Sequence, residues 1–178
     1  MSTVKKNRKG VVLRLEAEEA ALVHALMRQL VTLLGDAPDA DDELASMGIA
    51  EHAVKPDDPV LARLFPDAYR EDGEAAGEFR RYTEMGLRDG KREAASTVLR
   101  TIGDAHDSGV DTVLDKDEAQ AWLRALNDVR LALGTRLDIS EEWYEEAGRL
   151  DPHDPRTAMF AAYDWLTMLQ ESMVRAVW

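Results

Sequence analysis

Residues 115–137 read DKDEAQAWLRALNDVRLALGTRL, and the reading of this stretch decides the fold. Trp122, Leu126, Val129, Leu133 and Leu137 recur at helical steps, which sets them on one face of a helix. Asp115 and, three residues on, Glu118 form the reciprocal cap that opens such a helix. Three polar residues, Asn127, Asp128 and Arg130, interrupt the apolar pattern. Asn127, Arg130 and Gly134 step along a second line beside the apolar stripe, so Arg130 stands at the edge of the core. Asp128 and Arg124 are expected to meet on the outer side, an i,i+4 pair worth about 0.2–0.5 kcal/mol.

The helix expected over residues 156–178 carries a matching pattern. Ala162, Leu166, Leu169, Met173 and Val177 form its apolar line, with Tyr163, Thr167 and Gln170 beside it. Asp164 and Glu171 share another edge. If the two helices are neighbours, Arg130 is held by Asp164 or Glu171, with Asn127 and Gln170 completing the hydrogen bonds. An unpaired buried guanidinium would cost several kcal/mol, so such partners are required. Three readings of Asn127, Asp128, Arg130, Asp164, Gln170 and Glu171 stay open: a seam fixing the register of two helices, a surface for a ligand or partner, or catalysis.

Outward from this pair, "GVVLRLE" (10–16) and "VDTVLD" (110–115) alternate as short strands, and 11–15 is expected to pair with 110–114. A long helix follows from Glu16 with Leu22, Leu26, Val31 and Leu34 inward and Ala25, Met27 and Leu30 beside them, stopped by Gly35. Residues 36–58 and 67–78 read as acidic or polar loops, the first with a short helix near Glu43–Met47. Between the two loops, Asp58 caps a helix that has Pro59 in its first turn and Leu61, Leu64 and Phe65 pointing inward. A second long helix is expected from Phe79 to Ile102, with Tyr82, Met85, Ala94, Val98, Leu99 and Ile102 inside. Gly86 and Gly90 each cost a helix about 1 kcal/mol relative to Ala, and a break is expected there. A short helix begins at Ser140. Trp122, Phe160 and Tyr163 read as core, and Trp143 and Tyr144 as a cover or a partner contact. Trp178 is expected to be the most exposed aromatic, resting on the end of the bundle rather than in an interface. The fold class is mainly α: one four-helix-bundle-like domain over 1–178, with several shorter helices and a small two-stranded β pair.

The 178 residues carry 22 Lys and Arg against 35 Asp and Glu, a formal net charge of −13. That balance disfavours a nucleic-acid surface, which is made mainly of Lys and Arg. Lys5, Lys6, Arg8, Lys9 and Arg14 precede the first acid, Glu16, so residues 1–9 read as a basic, mobile arm. There is no cysteine, which removes disulfides, thiolate metal sites and a cysteine nucleophile. No run is apolar enough for a secretory signal or a membrane span, and a cytoplasmic setting is expected.

His24, His52, His106 and His153 stand on separate elements, with none of the E-x-x-H spacing of a di-metal bundle. "GLRDGKR" (86–92) is one residue short of a phosphate loop and has Arg92 where Ser or Thr is needed. No nucleophile elbow and no dinucleotide turn occurs. No cofactor or metal is expected.

"DPVLARLFPDAYRED", "KREAA", "ALNDVRLALGTRLDI" and "YDWLTMLQESMV", in this order, resemble an uncharacterised actinobacterial domain-of-unknown-function family. The resemblance covers most of the chain and implies no activity. It implies a gene neighbourhood instead, beside the gene for ClpS, the adaptor that passes substrates to the Clp protease. Genes for a sulfur-carrier protein and its metallopeptidase lie near as well.

The leading expectation is a non-enzymatic protein that binds another protein, as a regulatory or accessory factor linked to Clp proteolysis. A homo-oligomer is compatible with it, and no membrane is involved. One alternative is a small-molecule or anion-binding protein, or an enzyme, using Arg130 with Lys91 or Arg92. Another is a nucleic-acid-associated regulator using the basic arm.

Overall fold

The computed structural model describes residues 2–36, 41–50 and 55–178, and of 105 and 106 the backbone alone. Parts of the loop expected over 36–58, with His52 and the side chain of His106, lie outside the described residues. The strands are β1 (Thr3–Asn7), β2 (Gly10–Leu15) and β3 (Val110–Leu114). The helices are α1 (Ala17–Leu34), α2 (Glu43–Ser46), α3 (Pro59–Leu64), α4 (Gly73–Ile102), α5 (Lys116–Arg136), α6 (Trp143–Arg149) and α7 (Pro155–Val177). A 3-10 turn, Gly103–Asp107, links α4 to β3. The fold is mainly α with a small antiparallel sheet.

The sheet has three strands in the order β1-β2-β3. The two alternating stretches expected to pair do so, antiparallel, with Val11 opposite Leu114 and Leu15 opposite Val110. The third strand corrects the mobile-arm expectation: Thr3–Asn7 folds back on β2 through a turn at Arg8 and Lys9. The Asn7 side chain closes this turn by accepting from the Lys9 and Gly10 amides at 2.7 and 2.9 Å. Gly10 has a φ of +147°, and a Cβ there would collide with the Leu114 carbonyl oxygen, so the sheet requires glycine at that corner.

The four long helices, α1, α4, α5 and α7, enclose the core on one side of the sheet. On α5, Trp122 and Leu126 are wholly buried, with Val129, Leu133 and Leu137 continuing the stripe. Trp122 Nε1 donates to Thr101 Oγ1 of α4 at 2.9 Å, which satisfies its polar atom inside the core. Helix α5 opens on the Asp115–Glu118 capping box.

Helix α4 differs from expectation in three ways. It starts at Gly73 under an Asp72 cap, six residues before Phe79, because Asp72 accepts from the Glu74 and Ala75 amides despite the neighbouring glycines. It runs through Gly86 and Gly90 without a break. Its first half turns Arg80 inward and leaves Tyr82 exposed. The buried Arg80 guanidinium donates to the Phe65 carbonyl at 3.0 Å and to Asp67 at 2.7 Å, so a cation fills a place read as apolar.

Helix α1 has no cation in its last turn. Helix α4 supplies two: Arg88 donates to the Leu34 carbonyl at 2.7 Å, and Arg92 to those of Gly35 and Asp36 at 2.9 and 3.1 Å. These bonds meet the open carbonyls and the negative end of the α1 dipole. Trp178 is exposed and not packed against the bundle end. No helix of the described residues is long and apolar enough to cross a membrane.

Candidate functional site

Residues two apart on a helix point about 200° apart. Asp128 and Arg130 therefore leave α5 on opposite sides, Asp128 toward α4 and Arg130 toward α7. The six residues singled out from the sequence do not form one site.

On the α7 side, Arg130 Nε donates to Thr167 Oγ1 at 3.1 Å and Nη1 to Gln170 Oε1 at 2.6 Å. Its guanidinium also lies over the Tyr163 ring, 5.4 Å from the centroid. Neither Asp164 nor Glu171 holds it. Asp164 accepts from the Tyr144 hydroxyl at 2.7 Å, and Glu171 lies 3.9 Å from Arg175 one turn on. Arg130 is half-buried, so neutral acceptors and a ring face are enough for it. The seam is filled: a Cβ on Gly134 would stand 3.3 Å from Tyr163 and 3.6 Å from Ile139. Nearby, the Trp143 ring stacks between Tyr144 and Phe160, with Tyr163 edge-on, and covers this end of the helix pair. The hydrogen bond to Asp164 raises the Tyr144 hydroxyl above its ordinary pKa.

On the α4 side, Asp128 is buried and does not pair with Arg124. Its Oδ1 accepts from Lys91 Nζ at 2.7 Å, with the Lys91 ammonium also 5.9 Å from the Phe65 centroid. Burial raises the Asp128 carboxyl above its ordinary value of 3.8, and the hydrogen bond and charge of Lys91 oppose that only in part. Asn127 and Arg124 are exposed beside this pair.

The pair forms the floor of an open groove of about 670 Å³ between α4 and α5. Gly86, Leu87 and Gly90 line it from α4, and Arg124, Asn127 and Asp128 from α5. Nothing stands within 4 Å of a Cβ built on Gly86 or Gly90. Leu87, between them, is 53% exposed. Packing among the described residues therefore gives no reason for two glycines in the middle of a helix. Their four-residue spacing was legible in the sequence, yet it read only as a weakness in α4.

Lys91, Arg92 and Arg130 do not converge on a ligand. Lys91 is taken by Asp128, Arg92 by the end of α1 and by Asp89, and Arg130 by α7. Among the described residues no cluster of His, Asp or Glu could hold a metal ion. No hydroxyl or imidazole among them bonds the Asp128 carboxyl.

The model of a domain of unknown function, DUF2017, matches residues 1–177. The chain belongs to this family. Curated relatives in Mycobacterium tuberculosis (strain H37Rv) and Mycobacterium bovis are named oxidative stress regulator AosR. Each is 38% identical over 177 residues, covering 90% of this chain and 78% of the relative. A relative from Mycobacterium leprae is 36% identical over 176 residues, covering 89% of this chain and 78% of its own. No solved structure matches the chain.

Proposed function

We propose that this DUF2017 chain is a non-enzymatic regulatory protein that acts by binding another protein, and that a helix of the partner seats in the α4/α5 groove. The observation that carries this reading is the pair of open glycines, Gly86 and Gly90. Each costs α4 about 1 kcal/mol relative to Ala, and neither is needed by the chain's own packing. Glycine lets a second backbone approach closely, and around that approach Leu87 supplies an apolar anchor, Asn127 an amide, and Arg124 a cation with no ion pair among the described residues. The name of the mycobacterial relatives supports a regulatory role.

These 178 residues contain no cysteine, so an oxidant signal does not enter this chain through a thiol of its own. The signal would reach it through the partner. The gene neighbourhood implied by the family resemblance makes a component of the Clp system the first partner to look for.

The test is a cross-linked pull-down with the wild type, Arg130→Ala and Gly90→Leu, read by mass spectrometry. Leucine is a good helix former on an open face, so Gly90→Leu fills the groove and leaves the fold in place. A protein captured by the wild type and Arg130→Ala and lost with Gly90→Leu supports the reading. A partner indifferent to Gly90→Leu removes the groove from it, and the absence of any specific partner defeats it.

A further inference from the structure

Lys5, Lys6, Arg8 and Lys9 crowd one hairpin, all exposed, on a chain whose formal net charge is −13. Among the described residues none of the four makes an ion pair. The neighbouring Arg14 differs, since it meets Asp111 across the sheet at 2.9 Å. The hairpin is thus a cationic island whose charge the chain itself leaves unanswered.

The strand that carries Lys5 and Lys6 is also unfinished. β1 is an outer strand, and every second residue of an outer strand turns its N–H and C=O away from the sheet. Among the described residues, no backbone hydrogen bond joins Thr3–Asn7 to anything but β2 and the turn. Helix α7 lies alongside, and an open groove of about 280 Å³ runs between the two. Val4, Lys5 and Lys6 line it from the strand, and Ser172, Arg175 and Ala176 from the helix.

A strand edge beside a helix, flanked by lysines, matches one kind of occupant. An extended peptide continues the ladder with its main chain, and its carboxylates meet Lys5, Lys6 and Arg175. Lysines on an edge deter strands of like or no charge, so the arrangement selects for acid. A nucleic acid has no amide ladder to offer. Any polyanion longer than the hairpin would also run onto a strongly acidic body. We propose that the β1 edge receives an extended acidic segment of a partner protein as an added strand. This surface shares no residue with the α4/α5 groove, and it stands whether or not that groove binds.

The test is an amide NMR titration of the full ¹⁵N-labelled chain with a synthetic ten-residue peptide of alternating Glu and Thr. Parallel titrations use the same peptide N-methylated at alternate amides, and a DNA duplex. The expected result is a response centred on the amides of Thr3–Asn7. Affinity should fall on the order of tenfold in Lys5→Glu/Lys6→Glu and with the N-methylated peptide, and stay unchanged in Gly90→Leu. Both lysines are exposed, so the double variant keeps its spectrum elsewhere. Equal binding of the N-methylated peptide overturns the added strand. Tighter binding of the duplex overturns the choice of partner, and silence at Thr3–Asn7 overturns the site.

Discussion

Helix α5 carries one polar seam toward α4 and another toward α7, and the two are built on different terms. Toward α7 a half-buried cation, Arg130, is met by the neutral oxygens of Thr167 and Gln170 and by a tyrosine face. Toward α4 a buried carboxylate, Asp128, is met by a full charge from Lys91. A guanidinium that keeps contact with water can do without a counter-charge, whereas a carboxylate in the core cannot. The glycines divide in the same way. Gly134 sits against Tyr163, while Gly86 and Gly90 face open space. One seam is filled within the chain, and the other opens onto a groove.

The largest expected effect tests the charge difference. Lys91→Ala leaves the Asp128 side chain, 4% exposed, without its partner and should cost about 3–5 kcal/mol at neutral pH by chemical denaturation. Asp128→Ala should cost less, because Lys91 keeps 21% of its side chain exposed and can turn its ammonium to water. Equal losses would break the comparison. Replacing both, as Lys91→Met/Asp128→Leu, should restore wild-type stability or exceed it.

Arg130→Ala should cost about 1–2 kcal/mol, less than Lys91→Ala, since it removes two hydrogen bonds and a ring contact without stranding a buried charge. Thr167 Oγ1 keeps its bond to the Tyr163 carbonyl at 2.8 Å, and water can replace the guanidinium at Gln170. A loss as large as that of Lys91→Ala would mean that the two seams are alike.

The glycines sharpen the comparison further. Gly86→Ala and Gly90→Ala should each stabilise the chain by about 0.5–1 kcal/mol, read as a rise in Tm. Gly134→Ala gains the same backbone term but sets a methyl 3.3 Å from Tyr163, so its net change should be near zero or unfavourable. Variants at Gly90 that are more stable yet bind the partner less would mark the groove as a site kept at some cost to stability.

The smallest effects are in pH. Burial holds the Asp128 carboxyl above its ordinary value of 3.8, so its contribution to stability is full below that value and is lost as pH rises through the folded value. The stability of the wild type minus that of Asp128→Asn should fall over this window. Asp154, the α7 cap, behaves in the opposite sense. Hydrogen bonds from the Arg156 side chain and backbone hold its carboxyl below 3.8, so its contribution is present above that value and is lost as pH falls through the folded value. The matching difference for Asp154→Asn should fall only on acidification.

The sequence made the α5 stripe, its cap and the strands β2 and β3 themselves legible, because each depends on periodicity and on neighbours close in the chain. What it hid depends on distance. Asp128 was paired with Arg124 four residues away, since the lysine that holds it lies 37 residues back on another helix. Arg80 went unread because nothing local pointed to the Phe65 carbonyl and Asp67 that hold it. β1 went unread because Lys5 and Lys6 obscured its alternation, and on an outer strand those lysines have nothing to pack against. Of the candidate residues, the link from Arg130 to Gln170 was within reach, since both lie on helical stripes. The separation of Arg130 from Asp128 followed from the 100° step per residue, yet three polar letters in four positions suggested a single site.

The pairing of Leu15 with Val110 also bears on the order in which the molecule assembles. β3 lies beyond α1 through α4 in the chain, so β2 can form its hairpin with β1 early but must wait for nearly a hundred residues before its second neighbour exists. Closing so long a loop is entropically expensive, and such distant contacts slow folding. During synthesis the hairpin leaves the ribosome before β3 does, with the side of β2 that β3 will cover still open. Helix α5 follows β3 in the chain, so during synthesis the α4/α5 groove cannot take shape until both have been made.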